Sequence, residues 1–139
     1  MKVFYVFKIN ENFSYMYRGK SYRIYNILQE LRYVNDYNTN DVKRSLDELV
    51  CKLNIDSIDK FLIDSLYYYK DYYNKNHVHI ICNNDEYTKL VVEDYLVKVK
   101  TNQKYPAILN YINGDNYFAC DFVNKDFFWL NVSKKSCLT

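Results

Sequence analysis

The chain has 139 residues, of which 49% are hydrophobic and 26% are charged, and its formal net charge at pH 7 is +2. This balance is typical of one soluble globular domain, and so small a charge does not by itself indicate a nucleic-acid partner. The chain has only two glycines, Gly19 and Gly114, and one proline. Glycine-rich phosphate loops, dinucleotide-binding fingerprints and nucleophile elbows need glycine at fixed positions, so these motifs are excluded.

The first part of the chain predicts a strand followed by helices. Residues 2–9 alternate with large β-branched and aromatic side chains, which is typical of a strand. Asn10 is placed to cap a short helix over 11–18 that ends at Gly19, and Ser21 is placed to cap a second helix. After a loop over 35–40, further helical stripes follow. The three apolar stripes are Ile24, Ile27, Leu28, Leu31 and Val34; Val42, Leu46, Leu49, Val50 and Leu53; and Ile58, Phe61, Leu62 and Leu66.

The middle of the chain is rich in tyrosine and predicts a hairpin followed by a helix. Residues 67–73 fit a strand, although they also fit a continuation of the preceding helix, and 77–82 fit the return strand. Asn83, with Glu86 three residues later, resembles a capping box. This pattern predicts a long helix that ends near Lys100.

The last part of the chain predicts two hairpins. The first joins residues 107–112 to 117–123 through an Asn113-Gly114 turn, and the second returns over 126–131. The expected fold class is therefore mixed α/β. We expect a single domain over 1–132, with a sheet of five or six strands, C-terminal hairpins and about four flanking helices, followed by a loose tail over 133–139.

The titratable side chains do not form a recognisable catalytic or metal-binding pattern. His77 and His79 share a face if they lie on a strand, but no third ligand is apparent, so solvent-facing histidines and no bound metal are expected. Cys82 and Cys120 are expected to be inert core thiols, with a thiol enzyme as the weak alternative. Asp121 is expected on a solvated strand face. We therefore expect no catalytic residue, no cofactor and no small-molecule substrate.

No apolar segment approaches the roughly 18 residues needed to span a bilayer. Lys8 interrupts the N-terminal apolar run too early for a signal peptide. A cytoplasmic location without membrane contact is expected, and the four cysteines are expected to be reduced.

Phe13 and Tyr17 are the most informative aromatic residues. They are four positions apart on the first predicted helix and so lie side by side. Because Tyr15 and Met16 make the other face of this helix apolar too, one face is available for a protein partner. Burial of all four side chains by neighbouring helices remains the alternative.

The two ends of the chain resemble the SirA family, the sporulation inhibitors of replication. The stretch YFACDFVNKDFFWLN, from Tyr117 to Asn131, is similar to that family's closing hairpin, which ends in Trp-Leu-Asn. The opening strand with Lys8, followed by Asn12-Phe13, Tyr17 and Gly19, is similar to the family's start.

The resemblance implies a regulator without catalytic activity that binds the N-terminal domain of the replication initiator DnaA. By this resemblance Phe13 and Tyr17 match partner-contacting positions. Lys43 and Asp47 would add a polar rim, and Val132 stands where the family has a proline near the same surface. The alternative is a small nucleic-acid-binding domain that uses tyrosine stacking and basic residues.

Overall fold

Strand β1, Lys2–Lys8, lies inside a mixed α/β fold built on one antiparallel sheet. The computed structural model describes residues 1–34 and 46–130. Over these residues the strands are β1, β2 (Tyr72–Lys75), β3 (Val78–Cys82), β4 (Tyr87–Val92), β5 (Val97–Thr101), β6 (Tyr117–Asp121) and β7 (Asp126–Trp129). Their spatial order is β2-β3-β4-β5-β1-β6-β7, one or two strands more than the sequence predicted.

The helices are α1 (Glu11–Met16), α2 (Ser21–Val34), helical residues 46–49, α3 (Ile55–Leu66) and a short 3-10 helix over Ala107–Tyr111. Within the described ranges, no helix combines the length and the apolar character needed to cross a membrane.

Side chains alternate across each strand, so a core forms on each face of the sheet. On the second face, Lys98 and Lys100 of β5 remain exposed. On β1, Phe4 and Val6 enter one core while Phe7 enters the other. The first core lies against α3 and the 3-10 helix and includes Leu62, Leu66, Ile108 and Leu109. The second core lies against α2 and residues 46–49 and includes Ile24, Leu28, Leu46 and Leu49.

The predicted helix over residues 83–100 is wrong, since this segment forms β4 and β5. The capping function of Asn83 is real: its Oδ1 accepts hydrogen bonds from the backbone N–H groups of Asp85 (2.9 Å) and Glu86 (2.8 Å). The turn that it closes leads into a strand. The strands bury alternate residues, and Leu90 and Val99 pair across β4 and β5 in the first core.

Two strand predictions also need correction. Only the end of the predicted strand over 67–73 is extended, because α3 runs to Leu66 and β2 begins at Tyr72. Residues 107–111 form the 3-10 helix and not a strand. Two consecutive side chains there, Ile108 and Leu109, are fully buried, which an alternating strand on a one-sided surface would not permit. The Asn113-Gly114 turn therefore connects a helix to β6.

Candidate partner-binding surface

Helix α1 is fixed to the sheet and to residues 46–49 by backbone contacts. The Asn10 side chain accepts a hydrogen bond from the Asn12 backbone (3.0 Å), as the sequence predicted for a helix cap. The Asn10 backbone N–H donates to the carbonyl of Leu49 (2.8 Å), and Ile9 forms a β-bridge with Val50. Gly19 has φ +77°, which suits glycine after the end of a helix. The N-terminal end of α1 is therefore fixed to the sheet and to residues 46–49.

The rings of Phe13 and Tyr17 stack side by side on α1, with centroids 6.0 Å apart and an interplanar angle of 29°. Both side chains are half-buried and pack against the second core. The neighbouring Tyr15 and Met16 are 77% and 65% exposed. The helix thus has apolar side chains on both faces. The two most exposed, Tyr15 and Met16, were not predicted as anchors.

A concave surface of about 410 Å³ lies beside Tyr17, between the α1–α2 turn and the end of β7. Its lining includes Arg18, Ser21 and Trp129. The Trp129 indole N–H donates to Ser21 Oγ (2.8 Å), and its ring packs on Phe118 with centroids 4.8 Å apart. Trp129 therefore ties β7 to the start of α2 and forms one wall of this depression.

Basic side chains surround the α1–α2 turn. Arg18, Lys20 and Arg23 are all exposed, and the Arg23 guanidinium lies 3.5 Å from the Tyr22 hydroxyl. The hydrogen bond and the positive charge of Arg23 lower the pKa of Tyr22. The surface thus has aromatic side chains at its centre and basic side chains around the α1–α2 turn, while the carboxylate of Asp115 lines its other side. The clustering of three basic residues within six positions was visible in the sequence.

Asp47 lies on helical residues 46–49 and is exposed. Its carboxylate accepts a hydrogen bond from the Tyr95 hydroxyl at 2.5 Å, which raises the pKa of Tyr95. Asp47 thus contacts the β4–β5 turn. It belongs to the helical segment 46–49, and the last residue of that segment, Leu49, contacts the start of α1. Lys43 and Val132 lie outside the described residues, as does the tail over 133–139. The structure therefore brings Phe13 and Tyr17 together and places Asp47 on an adjoining element.

The expectation of solvent-facing histidines is wrong for His79, which is 1% exposed. Its Nε2 lies 2.7 Å from Asp59 Oδ1, and its Nδ1 lies 2.8 Å from the Tyr72 hydroxyl. His77 is exposed, and its Nδ1 lies 2.5 Å from Asp59 Oδ2. The missing signal was Asp59 on α3, which is close to both histidines in space but distant from them in sequence.

Asp121 and Cys82 also differ from their expected environments. Asp121 is buried, and its carboxylate accepts hydrogen bonds from the backbone and the side-chain amide of Asn124 (3.2 and 2.6 Å), so it closes the β6–β7 turn. Cys82 ends β3 and is exposed, although it was expected in the core. Cys120 is buried as predicted, and burial raises the pKa of its thiol.

A family model described as "Sporulation inhibitor of replication protein SirA" matches residues 2–134. The match extends from β1 past β7 and covers most of the chain, so the chain belongs to the SirA family. This membership places the protein among regulators that inhibit replication in sporulation. A search of curated proteins gives no match.

Proposed function

We propose that the chain inhibits the initiation of DNA replication in the cytoplasm by binding the N-terminal domain of DnaA. Its α1 surface would cover the contacts that this domain needs for helicase loading or self-assembly. Family membership supports the role in replication inhibition, and the resemblance at the two ends of the chain supports this partner.

The observation that carries the proposal is the stacked pair of Phe13 and Tyr17, half-exposed beside a concave surface. Aromatic anchors of this kind dominate protein interfaces, because each buries a large area at a small cost in side-chain entropy. α1 is anchored before any partner arrives, so little ordering would be needed on binding. Asp47 and Lys43 would extend the contact as a polar rim, with Val132 near the same surface, as the family resemblance implies.

The test is a titration of purified DnaA N-terminal domain with variants of this surface. Phe13→Ala and Tyr17→Ala should each weaken binding by about 30-fold, corresponding to about 2 kcal/mol for a hot-spot aromatic. Tyr68→Ala is a matched control. Tyr68 is 78% exposed and follows α3, which covers the opposite face of the sheet, so its loss should leave the affinity unchanged.

Because Phe13 and Tyr17 also contact the second core, the thermal midpoint of every variant must be measured alongside binding. Normal binding by both variants, or binding lost only in proportion to unfolding, would show that these two rings are not the anchors. If only Tyr15→Ala and Met16→Ala lose binding, the partner contacts the exposed face of α1.

The nucleic-acid alternative makes a different prediction. Tyr67 and Tyr68 are exposed and near each other, but Tyr72 is half-buried and its hydroxyl bonds to His79, so not every tyrosine of this cluster faces solvent. A labelled single-stranded oligonucleotide should therefore show no tight binding at physiological salt. Tight, strongly salt-dependent binding that is lost in Tyr68→Ala would favour this alternative.

A further inference from the structure

Three potential metal ligands meet where α3 packs beside the β2–β3 turn. Asp56 and Asp59 are three positions apart on α3 and therefore lie on the same face. His77 lies in the turn immediately before β3. One ligand atom from each of the three lies within 4.8 Å of the others. The group combines one imidazole nitrogen with two carboxylates and is accessible, since Asp56 and His77 are exposed.

A buried network holds Asp59 in place. A carboxylate only accepts hydrogen bonds, so the 2.7 Å contact with Asp59 requires the proton on His79 Nε2. In neutral His79 the Nδ1 atom then accepts from the Tyr72 hydroxyl at 2.8 Å. The side chain of His79 is only 2% exposed and that of Asp59 is 14% exposed. Oδ1 of Asp59 thereby accepts a hydrogen bond from His79, and Oδ2 contacts His77.

This arrangement has the form of a metal ligand with a supporting outer shell. Groups that hydrogen-bond to a ligand fix its orientation and contribute strongly to metal affinity. Here His79 and Tyr72 hold Asp59 from the inside, while Asp56 and His77 are exposed. Oδ2 of Asp59 contacts Nδ1 of His77 directly, and a bound ion would replace this contact. Sequence reasoning rejected a metal because His77 and His79 lacked a third ligand. In the structure, the carboxylates of Asp56 and Asp59 on α3 lie near His77. His79 is not a ligand but a hydrogen-bond partner of Asp59.

We propose that Asp56, Asp59 and His77 form a binding site for a first-row transition-metal ion of the Zn²⁺ type. The imidazole ligand favours such an ion over Ca²⁺ or Mg²⁺, which prefer all-oxygen sites. Metal–ligand bonds of about 2.0–2.2 Å place the ligand atoms of a tetrahedral site roughly 3.4 Å apart. The three ligand atoms already lie within 4.8 Å of one another, and the 2.5 Å contact between His77 and Asp59 would widen to admit the ion.

The bound ion would join α3 to the β2–β3 turn. Water would occupy its fourth position, because the site opens to solvent at Asp56 and His77. An ion that binds only the folded chain raises the stability of that chain by mass action. The site therefore predicts zinc-dependent stabilisation that needs neither DnaA nor the α1 surface.

The test is calorimetric titration of the full chain, without an affinity tag, with ZnCl₂. One equivalent should bind at micromolar zinc, and the thermal midpoint should rise with zinc concentration. His77→Ala and Asp56→Asn should each weaken zinc binding by at least about tenfold. Loss of an outer-shell partner already costs that much, and these two residues are direct ligands. Both residues are exposed, so these variants should fold. Asp64→Asn removes an exposed carboxylate from the same helix and should bind zinc like the wild type.

CoCl₂ serves as the second probe, because thiolate ligands give an intense charge-transfer absorption that oxygen and nitrogen ligands do not. Four-coordinate d–d bands without that absorption are expected, since the site contains no cysteine. Binding that needs millimolar zinc, that persists unchanged in His77→Ala, or that shows the thiolate absorption would overturn the proposal.

Discussion

Cys82 and Cys120 lie in similar apolar strand segments but have opposite environments. Cys82 is the last residue of β3 and points to solvent, whereas Cys120 lies inside β6 between β1 and β7 and is fully buried. Both strands lie one place in from an edge of the sheet, so the difference comes from what covers each residue: Cys120 faces the second core, whereas Cys82 is at the exposed end of its strand. A sequence window does not reveal which strand positions other elements cover. The burial of His79 likewise depends on a distant residue, because its hydrogen-bond partner Asp59 lies 20 positions away in sequence.

The cysteine environments predict an order of alkylation. Among the cysteines within residues 1–34 and 46–130, iodoacetamide should modify Cys82 first, the partly exposed Cys51 more slowly, and Cys120 only after unfolding. The thiolate is the reactive form, and burial both raises the pKa of Cys120 and blocks the reagent. Peptide mass spectrometry over a time course measures the order. Labelling of native Cys120 as fast as Cys82 would contradict it.

Trp129 predicts a second effect at the level of single residues. Trp129→Phe keeps an aromatic ring against Phe118 but removes the hydrogen bond to Ser21, which should lower the free energy of unfolding by about 0.5–1.5 kcal/mol. Ser21→Ala removes the same bond from the other side. If the bond carries the effect, the double variant should be little worse than either single one in urea denaturation followed by circular dichroism. Full additivity would show that the bond contributes nothing.

Among the elements, β4 and β5 show why a helix was predicted where strands occur. Asn83 caps a turn in the same way that it would cap a helix, and residues such as Leu90 fit a helical stripe as well as a strand face. The sequence Val97-Lys98-Val99-Lys100-Thr101 carries the stronger signal, since its strict alternation matches β5. Strand pairing with β1, nearly one hundred residues away in sequence, then decides the structure.

The position of β4 between β3 and β5 predicts the response to truncation there. Leu90→Ala should lower the free energy of unfolding by about 2–5 kcal/mol, because Leu90 is fully buried in the first core. Lys89→Ala, on the opposite face of the same strand, should change it by less than about 1 kcal/mol. Urea denaturation of both variants provides the measurement. Equal effects would be inconsistent with the strand assignment.

At the scale of the whole molecule, the two cores are not independent. Strands β1 and β6 each contribute alternate residues to both, for example Tyr117 to the first core and Phe118 to the second. Loss of one core would therefore expose one face of the strands that support the other. We expect residues 1–132 to unfold as one cooperative unit.

Trp129, which packs against the second core, reports on this coupling. Leu62→Ala removes a buried side chain from the first core, on the other face of the sheet. It should shift the urea midpoint of Trp129 fluorescence by the same amount as the midpoint of the far-UV circular dichroism. A Trp129 transition that stays at its wild-type midpoint would show two separately folding parts.

The sequence predicted the fold class and the first helices well, because these depend on local caps and on one apolar face. It also brought Phe13 and Tyr17 together, since helical spacing alone determines their proximity. It could not predict the depression beside Trp129 or the Asp59 network. Both join residues from distant elements, and only strand order makes them neighbours.

The central place of β1 has a consequence for synthesis on the ribosome. Lys2 pairs with Thr101 of β5, and Lys8 pairs with Tyr117 of β6. At about 5–20 residues per second, the completed strand waits roughly 5–20 s before its neighbours are made. During that time the apolar side chains of Phe4, Val6 and Phe7 have no sheet to join. Such long-range pairing also slows folding of the released chain, so an inhibitor of this design becomes active only some time after its gene is translated.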